Sequence, residues 1–122
     1  MENIEIPTFT ADIWVGRRVG YTNKIHPMSI AYKIIHEYCN QIGLCVSITE
    51  TNFIYTARDA GNTTDGEEPG FKVGLINYPL FPQTEGKIKE IAQNLAILLK
   101  EAYEQKKVTI VYPYPYHTLT IR

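Results

Sequence analysis

Three of the four arginines in the sequence lie in two glycine-flanked segments and are candidates for phosphate binding. Arg17 and Arg18 stand between Gly16 and Gly20, and Arg58 opens a polar loop. Arginine presents a planar fork of donors that matches a phosphate, and it can also stack on a base. The three arginines therefore predict contacts to an anionic ligand. The alternative for Arg17 and Arg18 is that they are surface charges paired with the acidic loop.

A second group of candidates lies on and after the strand predicted for residues 71–78, which follows a predicted turn at Pro69 and Gly70. Phe71, Tyr78 and Phe81 offer aromatic faces of the kind that hold nucleobases, at about 1–3 kcal/mol per stacked base. The side-chain amide of Asn77 is suited to bind a base edge or a ribose hydroxyl. Two prolines stiffen the loop that carries these groups. Phe71 fits a position in the core as well as it fits a stacking role.

Motifs for catalysis and for metal binding are missing from the sequence. His26, His36 and His117 are scattered, with no carboxylate or thiol at a ligand spacing from any of them. Neither a P-loop nor a dinucleotide-binding glycine motif is present. Cys39 and Cys45 are not spaced as Cys-x-x-Cys, and we interpret both as small buried hydrophobic residues. We therefore expect no metal, no cofactor and no enzymatic activity.

Length and charge favour one small domain that spans residues 1–122. The chain has a formal net charge of −1 and a pI of about 6.3, whereas proteins that hold long nucleic acids are usually basic. The first residues show neither the basic start nor the apolar run of a secretory signal peptide, and no apolar stretch approaches the roughly 18 residues of a membrane span. We expect a cytoplasmic protein that binds neither long nucleic acid nor a membrane.

The elements that must position these residues form an α+β pattern. We predict an antiparallel or mixed sheet of about five to six strands with two helices packed on one face. The first helix is predicted to begin with Ser29 as its N-cap and to end at Gly43. The strands are predicted for residues 9–18, 44–50, 53–56, 71–78, 108–112 and 118–122, with a tight turn at Thr51 and Asn52 between the second and third.

A long helix is predicted for residues 84–106, and it is apolar over more of its circumference than one small sheet requires. One apolar stripe covers the sheet. Ala96, Ile97 and Tyr103 lie beyond the edge of that stripe. Because a surface helix of a monomer usually has a polar outer face, we predict a homo-oligomer, either a dimer or a larger assembly.

Several short segments resemble a family of small phage proteins. They are residues 53–56, 68–71, 73–82 and 105–109. Across roughly residues 44–122 the chain resembles the phage proteins that counter bacterial Thoeris defence, specifically the first described type of signal sponge.

The resemblance implies a protein that sequesters cyclic ADP-ribose isomers made by bacterial immune enzymes, without cleaving them, in the cytoplasm of the host cell. Some members also hold small cyclic oligonucleotides, and the family forms homo-oligomers with pockets between protomers. Asn77, Tyr78 and Phe81 would then lie in the pocket region, with Phe71 and Arg58 in the segments that flank it. The alternative function is an oligomeric structural or protein-interaction module without a small-molecule ligand.

Overall fold

Five strands form one antiparallel sheet in the computed structural model, which describes residues 1–55 and 66–122. The order of the strands is β2-β3-β1-β4-β5, and every neighbouring pair is antiparallel. This confirms the predicted α+β class. The elements are β1 (Thr10–Gly16), α1 (Ser29–Ile42), β2 (Val46–Ile54), β3 (Glu67–Ile76), α2 (Glu85–Ala102), β4 (Val108–Val111) and β5 (Leu119–Ile121).

Both helices cover the same face of the sheet, as predicted. Side chains alternate between the two faces of a strand, and the core face of β1 and β3 is completely buried. Its residues are Ala11, Ile13, Val15, Phe71, Val73 and Leu75. The buried residues of α1 and α2 belong to the same core cluster. The opposite face of the sheet, which we call the open face, is covered by no helix of the described residues.

The N-terminal ends of the two helices are stabilised in different ways. The hydroxyl of Thr84 accepts a hydrogen bond from the backbone N–H of Lys87, so Thr84 is the side-chain cap of α2. The cap predicted for α1 at Ser29 is wrong, since Ser29 is already helical. Instead the phenol oxygen of Tyr103 accepts the N–H of Ala31 at 3.0 Å. A tertiary contact therefore replaces the local cap.

The apolar surface of α2 that stays exposed is smaller than the sequence predicts. Ala96 and Tyr103, predicted to lie beyond the apolar stripe, are completely buried. Ile97 and Leu98 are each 42% exposed and are what remains of the second face. The helix ends at Ala102, earlier than predicted. The described residues contain no helix long and apolar enough to cross a bilayer.

The hairpin predicted for residues 44–56 is a single continuous strand. β2 pairs with β3 along its whole length, from Val46 opposite Leu75 to Ile54 opposite Glu67. The predicted turn at Thr51 and Asn52 is therefore extended backbone. A long partner strand supplies a ladder of hydrogen bonds, which outweighs the local turn preference of a Thr-Asn pair.

Candidate functional site

The predicted site residues separate into two groups at opposite ends of β3. Gly16 pairs with Gly70, which places Arg17 and Arg18 beside the start of the strand; we call this the arginine end. The loop after the strand carries Asn77, Tyr78 and Phe81, and we call it the proline end. At about 3.3 Å per residue the two ends are roughly 30 Å apart. One small ligand therefore cannot contact both groups within one protomer.

The two arginines at the arginine end hold the loop that follows β1. The Nε of Arg17 donates to the carbonyl of His26 at 3.0 Å, and its backbone N–H donates to the carbonyl of Pro69 at 2.9 Å. One Nη of Arg18 donates to the carbonyl of Thr22 at 3.2 Å. Each guanidinium has five N–H donors, so these contacts leave others for a ligand. Arg58 and most of the acidic loop lie outside the described residues.

Phe71 is a core residue in this structure. Its side chain is completely buried, and its ring centroid lies 5.0 Å from that of Tyr103. The sequence allowed either core packing or base stacking for Phe71, and its buried position shows that it packs in the core.

Asn77, at the proline end, uses both polar atoms of its side-chain amide in hydrogen bonds within the protein. Its Nδ2 donates to the carbonyl of Pro7 at 2.8 Å, and its Oδ1 accepts the backbone N–H of Gln83 at 2.8 Å. Its own backbone N–H donates to the carbonyl of Phe9 at 2.9 Å. These three bonds fix the segment before β1 against the loop after β3.

Tyr78 and Phe81 pack on each other with ring centroids 6.1 Å apart and planes at 30°. Phe81 is 43% exposed, so its ring is partly free to meet a ligand. An open groove of about 570 Å³ lies nearby, lined by residues 4–10 together with Ile76, Asn77 and Pro79. The groove is mostly apolar, and its one charged residue is Glu5.

The arginine end contains a carboxylate that the sequence analysis did not select, Glu68. Its cross-strand partner is Phe53, so both side chains lie on the open face. Partial burial raises the pKa of the Glu68 carboxyl. A hydrogen bond from the backbone N–H of Arg18 and the nearby charges of Arg18 and Lys107 act in the opposite direction. Glu68 is thus a carboxylate in a partly apolar setting, with cations close by.

Aromatic rings and a lysine lie beside Glu68 on the open face. Phe53 crosses over Gly70 so closely that a Cβ there would overlap its ring. Trp14 packs edge-on against Phe53 with centroids 5.9 Å apart, and the Nζ of Lys72 lies 5.5 Å from the Trp14 centroid. A carboxylate beside exposed parts of aromatic rings can bind the polar and flat parts of a nucleoside.

The sequence held a signal for these residues. Strand alternation places Glu68 and Lys72 on the face opposite Phe71, and it places Trp14 opposite the buried side of β1. β1 and β2 both pair with β3, and this pairing brings Trp14 against Phe53. No local motif reveals such long-range pairing. Within the two described ranges, no group of three His, Cys, Asp or Glu side chains is arranged to hold a metal ion.

Two solved structures share this fold. One is a phage SAM lyase in complex with S-methyl-5'-thioadenosine, with a TM-score of 0.74, 20% sequence identity, and coverage of 99% of this chain and 94% of that one. The other is a phage SAM lyase in the apo state, with a TM-score of 0.76, 19% identity and the same coverage. No protein-family model and no curated protein sequence matches the chain. At this level of identity the likeness establishes the fold.

The comparison contradicts one prediction and supports another in part. The prediction of no enzymatic activity is wrong, because the two matched structures are of a lyase, which is an enzyme. A lack of familiar catalytic motifs in a sequence therefore does not exclude catalysis. The expected phage setting and small nucleotide-like ligand agree with these phage proteins, one of which holds a methylthioadenosine.

Proposed function

We propose that this chain is a lyase that acts on an adenosine-containing sulfonium compound of the S-adenosylmethionine class and releases S-methyl-5'-thioadenosine. The observation that carries the proposal is the half-buried carboxylate of Glu68 beside Phe53 and Trp14 on the open face. The same fold in a phage SAM lyase, matched over 99% of this chain, supports it.

The residues of the open face have complementary roles in this proposal. The adenine lies against the Phe53 ring, since a base gains about 1–3 kcal/mol from stacking on an aromatic side chain. Glu68 accepts hydrogen bonds from the nucleoside. Trp14 supports the Phe53 ring from its edge. The partly apolar surroundings that raise the pKa of Glu68 also surround the bound substrate.

The reaction itself neutralises charge. The bond between the sulfonium sulfur and the γ-carbon of the amino-acid part breaks, and both electrons of the bond go to the sulfur, which becomes a neutral thioether. Charge therefore declines towards the transition state, and a site less polar than water favours such a step. An oxygen of the substrate's own α-carboxylate attacks the γ-carbon and supplies the electron pair of the new C–O bond, which closes a five-membered lactone, so no water enters the products.

The test is turnover by the purified full chain. S-adenosylmethionine should yield S-methyl-5'-thioadenosine in proportion to protein and time, as measured by chromatography with mass detection. In water enriched with oxygen-18 the lactone should carry no label, and homoserine formed by its later opening should carry label only in its carboxyl group, whereas a labelled γ-hydroxyl would indicate hydrolysis. Glu68→Gln should lower the rate at least tenfold. Glu67→Gln is the matched control, because the neighbouring Glu67 is exposed and lies on the other face of β3.

Two results would contradict the proposed reaction or its location. If the wild-type chain produces no more S-methyl-5'-thioadenosine than a heat-inactivated sample, the proposed reaction is wrong. If Glu68→Gln and Glu67→Gln turn over at the wild-type rate, the reaction occurs elsewhere on the molecule.

Cyclic ADP-ribose isomers are a second candidate class of ligand, because Arg17 and Arg18 lie next to the same site and keep N–H donors for a diphosphate. Calorimetric titration with a panel of these isomers tests this. Arg18→Ala should weaken their binding in a salt-dependent way and leave binding of S-methyl-5'-thioadenosine, which has no phosphate, nearly unchanged. Equal effects on both ligands would count against a phosphate contact.

Assembly and cellular location stay predictions within this proposal. We expect a homo-oligomer in the cytoplasm of the bacterial host, with Ile97 in the contact because it remains exposed on α2. Sedimentation velocity of the wild type and of Ile97→Glu tests the assembly. A wild-type monomer of 14.0 kDa at micromolar concentration would contradict it.

A further inference from the structure

The two edges of the sheet differ in length and in protection. β5, at one edge, has three residues, and β2, at the other, has nine. β2 carries no proline, lysine or arginine, and its register with β3 runs from Val46 to Ile54 without a bulge. Short length, prolines, lysines and bulges are the features by which sheets keep an edge from pairing with another chain. β5 is protected by its length, whereas β2 has one charge, Glu50, and none of the other features.

The outer edge of β2 presents backbone groups that can extend the sheet. The N–H of Tyr55 donates to the carbonyl of Gly66, on the β3 side, at 2.6 Å. Because the backbone groups of successive residues in an antiparallel strand point to opposite sides, those of Ile54 and of every second residue before it point away from β3. Among the described residues, no strand pairs with that side. The groups on the outer edge belong to Val46, Ile48, Glu50, Asn52 and Ile54.

Apolar side chains accompany these backbone groups. Ile54 is 84% exposed, and Ile48 and Phe53 are half-buried. A strand added beside β2 would cover apolar surface and pair the outer backbone groups at the same time. Both gains are the ones that drive strand addition to an open sheet edge.

Most antiparallel pairings of β2 with its own copy contain an unfavourable contact. In a two-fold pairing that keeps each side chain on its own face of the sheet, the axis passes through one residue, which faces itself. With the axis at Glu50, two carboxylates would face each other. With the axis at Thr49 or Asn52, Glu50 would face an isoleucine. Axes nearer either end of the strand would pair fewer residues.

The remaining register, with the axis at Thr51, has compatible pairs throughout. Ile48 lies opposite Ile54 of the second copy, and Glu50 lies opposite the amide of Asn52. All four of these residues have their backbone groups on the outer edge, so the hydrogen-bonding groups of the two copies also meet. The complementarity of side chains and that of backbone groups therefore select the same register.

We propose that two copies of this chain pair antiparallel through the outer edges of β2, about a two-fold axis at Thr51, and join their sheets into one continuous sheet. On the open face, Thr49 of the second copy then lies opposite Phe53 and forms part of the rim of the site. The role of this rim rests on the proposed function, whereas the strand pairing does not. The β2 contact is separate from the one expected at Ile97 of α2.

The first experiment is a disulfide across the axis. Thr51 would face its own copy in a pair without hydrogen bonds, where Cα atoms are about 4.5 Å apart, within the range of a disulfide. Thr51→Cys, with Cys39→Ser and Cys45→Ser to remove the native thiols, should form a linked dimer of two 14.0 kDa chains on mild oxidation. Thr49→Cys in the same background is the matched control. Thr49 lies on the same face and is more exposed, but its copy would be roughly 14 Å away along the strand.

Non-reducing electrophoresis should show linking at least tenfold faster for Thr51→Cys than for Thr49→Cys. Equal rates in the two variants would overturn the proposed pairing, because they would report random collision of exposed thiols.

A second variant tests the same contact without a cross-link. Ile54→Lys places a charge opposite Ile48 of the second copy, and it should raise the dissociation constant of the pair at least tenfold in sedimentation velocity over a concentration series. Since Ile54 is 84% exposed, the fold should tolerate the change. Ile4→Lys is the control, at an isoleucine that is 60% exposed and lies outside β2, and it should assemble like the wild type.

Three results would overturn the β2 contact. They are a wild-type monomer at micromolar concentration, equal dissociation constants for the wild type and Ile54→Lys, and a trimer in which Thr51→Cys does not link. None of these measurements involves turnover of S-adenosylmethionine, so the proposed function stands or fails separately.

Discussion

The arginine end and the proline end of β3 carry polar groups of similar kinds, but they use them differently. At the proline end, Asn77 gives its amide nitrogen to Pro7 and its amide oxygen to Gln83. At the arginine end, the hydrogen bonds of Gln105 to other described residues use only its amide nitrogen, and its oxygen packs against Gly16 beside Glu68. The same functional group hydrogen-bonds through both of its polar atoms in one place and through its nitrogen alone in the other. The amides of Asn77 and Gln105 therefore differ in how many of their polar atoms form hydrogen bonds within the protein.

The largest effect expected concerns Phe71, which faces the helices while Glu68 faces the open side of the same strand. Phe71→Ala should lower the free energy of unfolding by ~3–5 kcal/mol, since it leaves a cavity in the core. Phe81→Ala, at a partly exposed ring, should cost clearly less. Urea denaturation of both variants measures this. A similar loss for the two would remove the distinction between core and loop phenylalanines.

The next effect decides which end holds the ligand. Phe53→Ala should lower the affinity for S-methyl-5'-thioadenosine by ~1–3 kcal/mol, the range of a lost stacking contact. Phe81→Ala should leave it unchanged. Calorimetry per folded molecule separates binding from stability. If Phe81→Ala is the variant that loses affinity, the ligand lies at the proline end, where the sequence analysis placed it.

A moderate effect is expected at Asn77, whose amide bonds join the N-terminal segment to the loop after β3. Asn77→Ala should lower the free energy of unfolding by about 1–2 kcal/mol, because two backbone groups lose their partner. Ligand affinity at the arginine end should not change. Asn94→Ala, at an exposed position of α2, is the control and should be neutral or slightly stabilising. Lost affinity in Asn77→Ala would link the two ends.

The smallest effect is a pH dependence at Glu68. Because burial raises its pKa in the folded chain, the folded state holds this proton more tightly than the unfolded state, and stability is lost as pH rises through the folded pKa. Glu68→Gln removes that loss. The free energy of unfolding of Glu68→Gln minus that of the wild type should increase from about pH 4 up to the raised pKa of Glu68, and it should stay constant above that pKa. Thermal unfolding across pH, with Glu67→Gln as control, measures this, and a falling difference would contradict it.

The fold was largely predictable because its elements have strong periodic patterns. The alternation of Phe71, Val73 and Leu75 in β3 and the cap at Thr84 are local features, and the structure contains both. The error in β2 arose at Thr51 and Asn52, where pairing with β3 overrides a local turn preference.

The candidate site was less predictable, since its parts come from distant segments. Gly16, Glu68 and Gln105 lie in three separate stretches of the sequence, and only sheet pairing and the chain after α2 bring them together. The sequence pointed to Arg18 for its guanidinium. Its peptide groups are what contact the other two residues, and peptide groups are the same in every residue except proline.

The backbone contacts of Arg18 have a consequence for substitutions at this position. A substitution at Arg18 removes the guanidinium contact to Thr22 but leaves in place the backbone groups beside Gln105 and Glu68. Proline is the exception, because it has no N–H to donate. A library of all substitutions at Arg18, scored by thermal unfolding, should therefore show its largest loss of stability for proline.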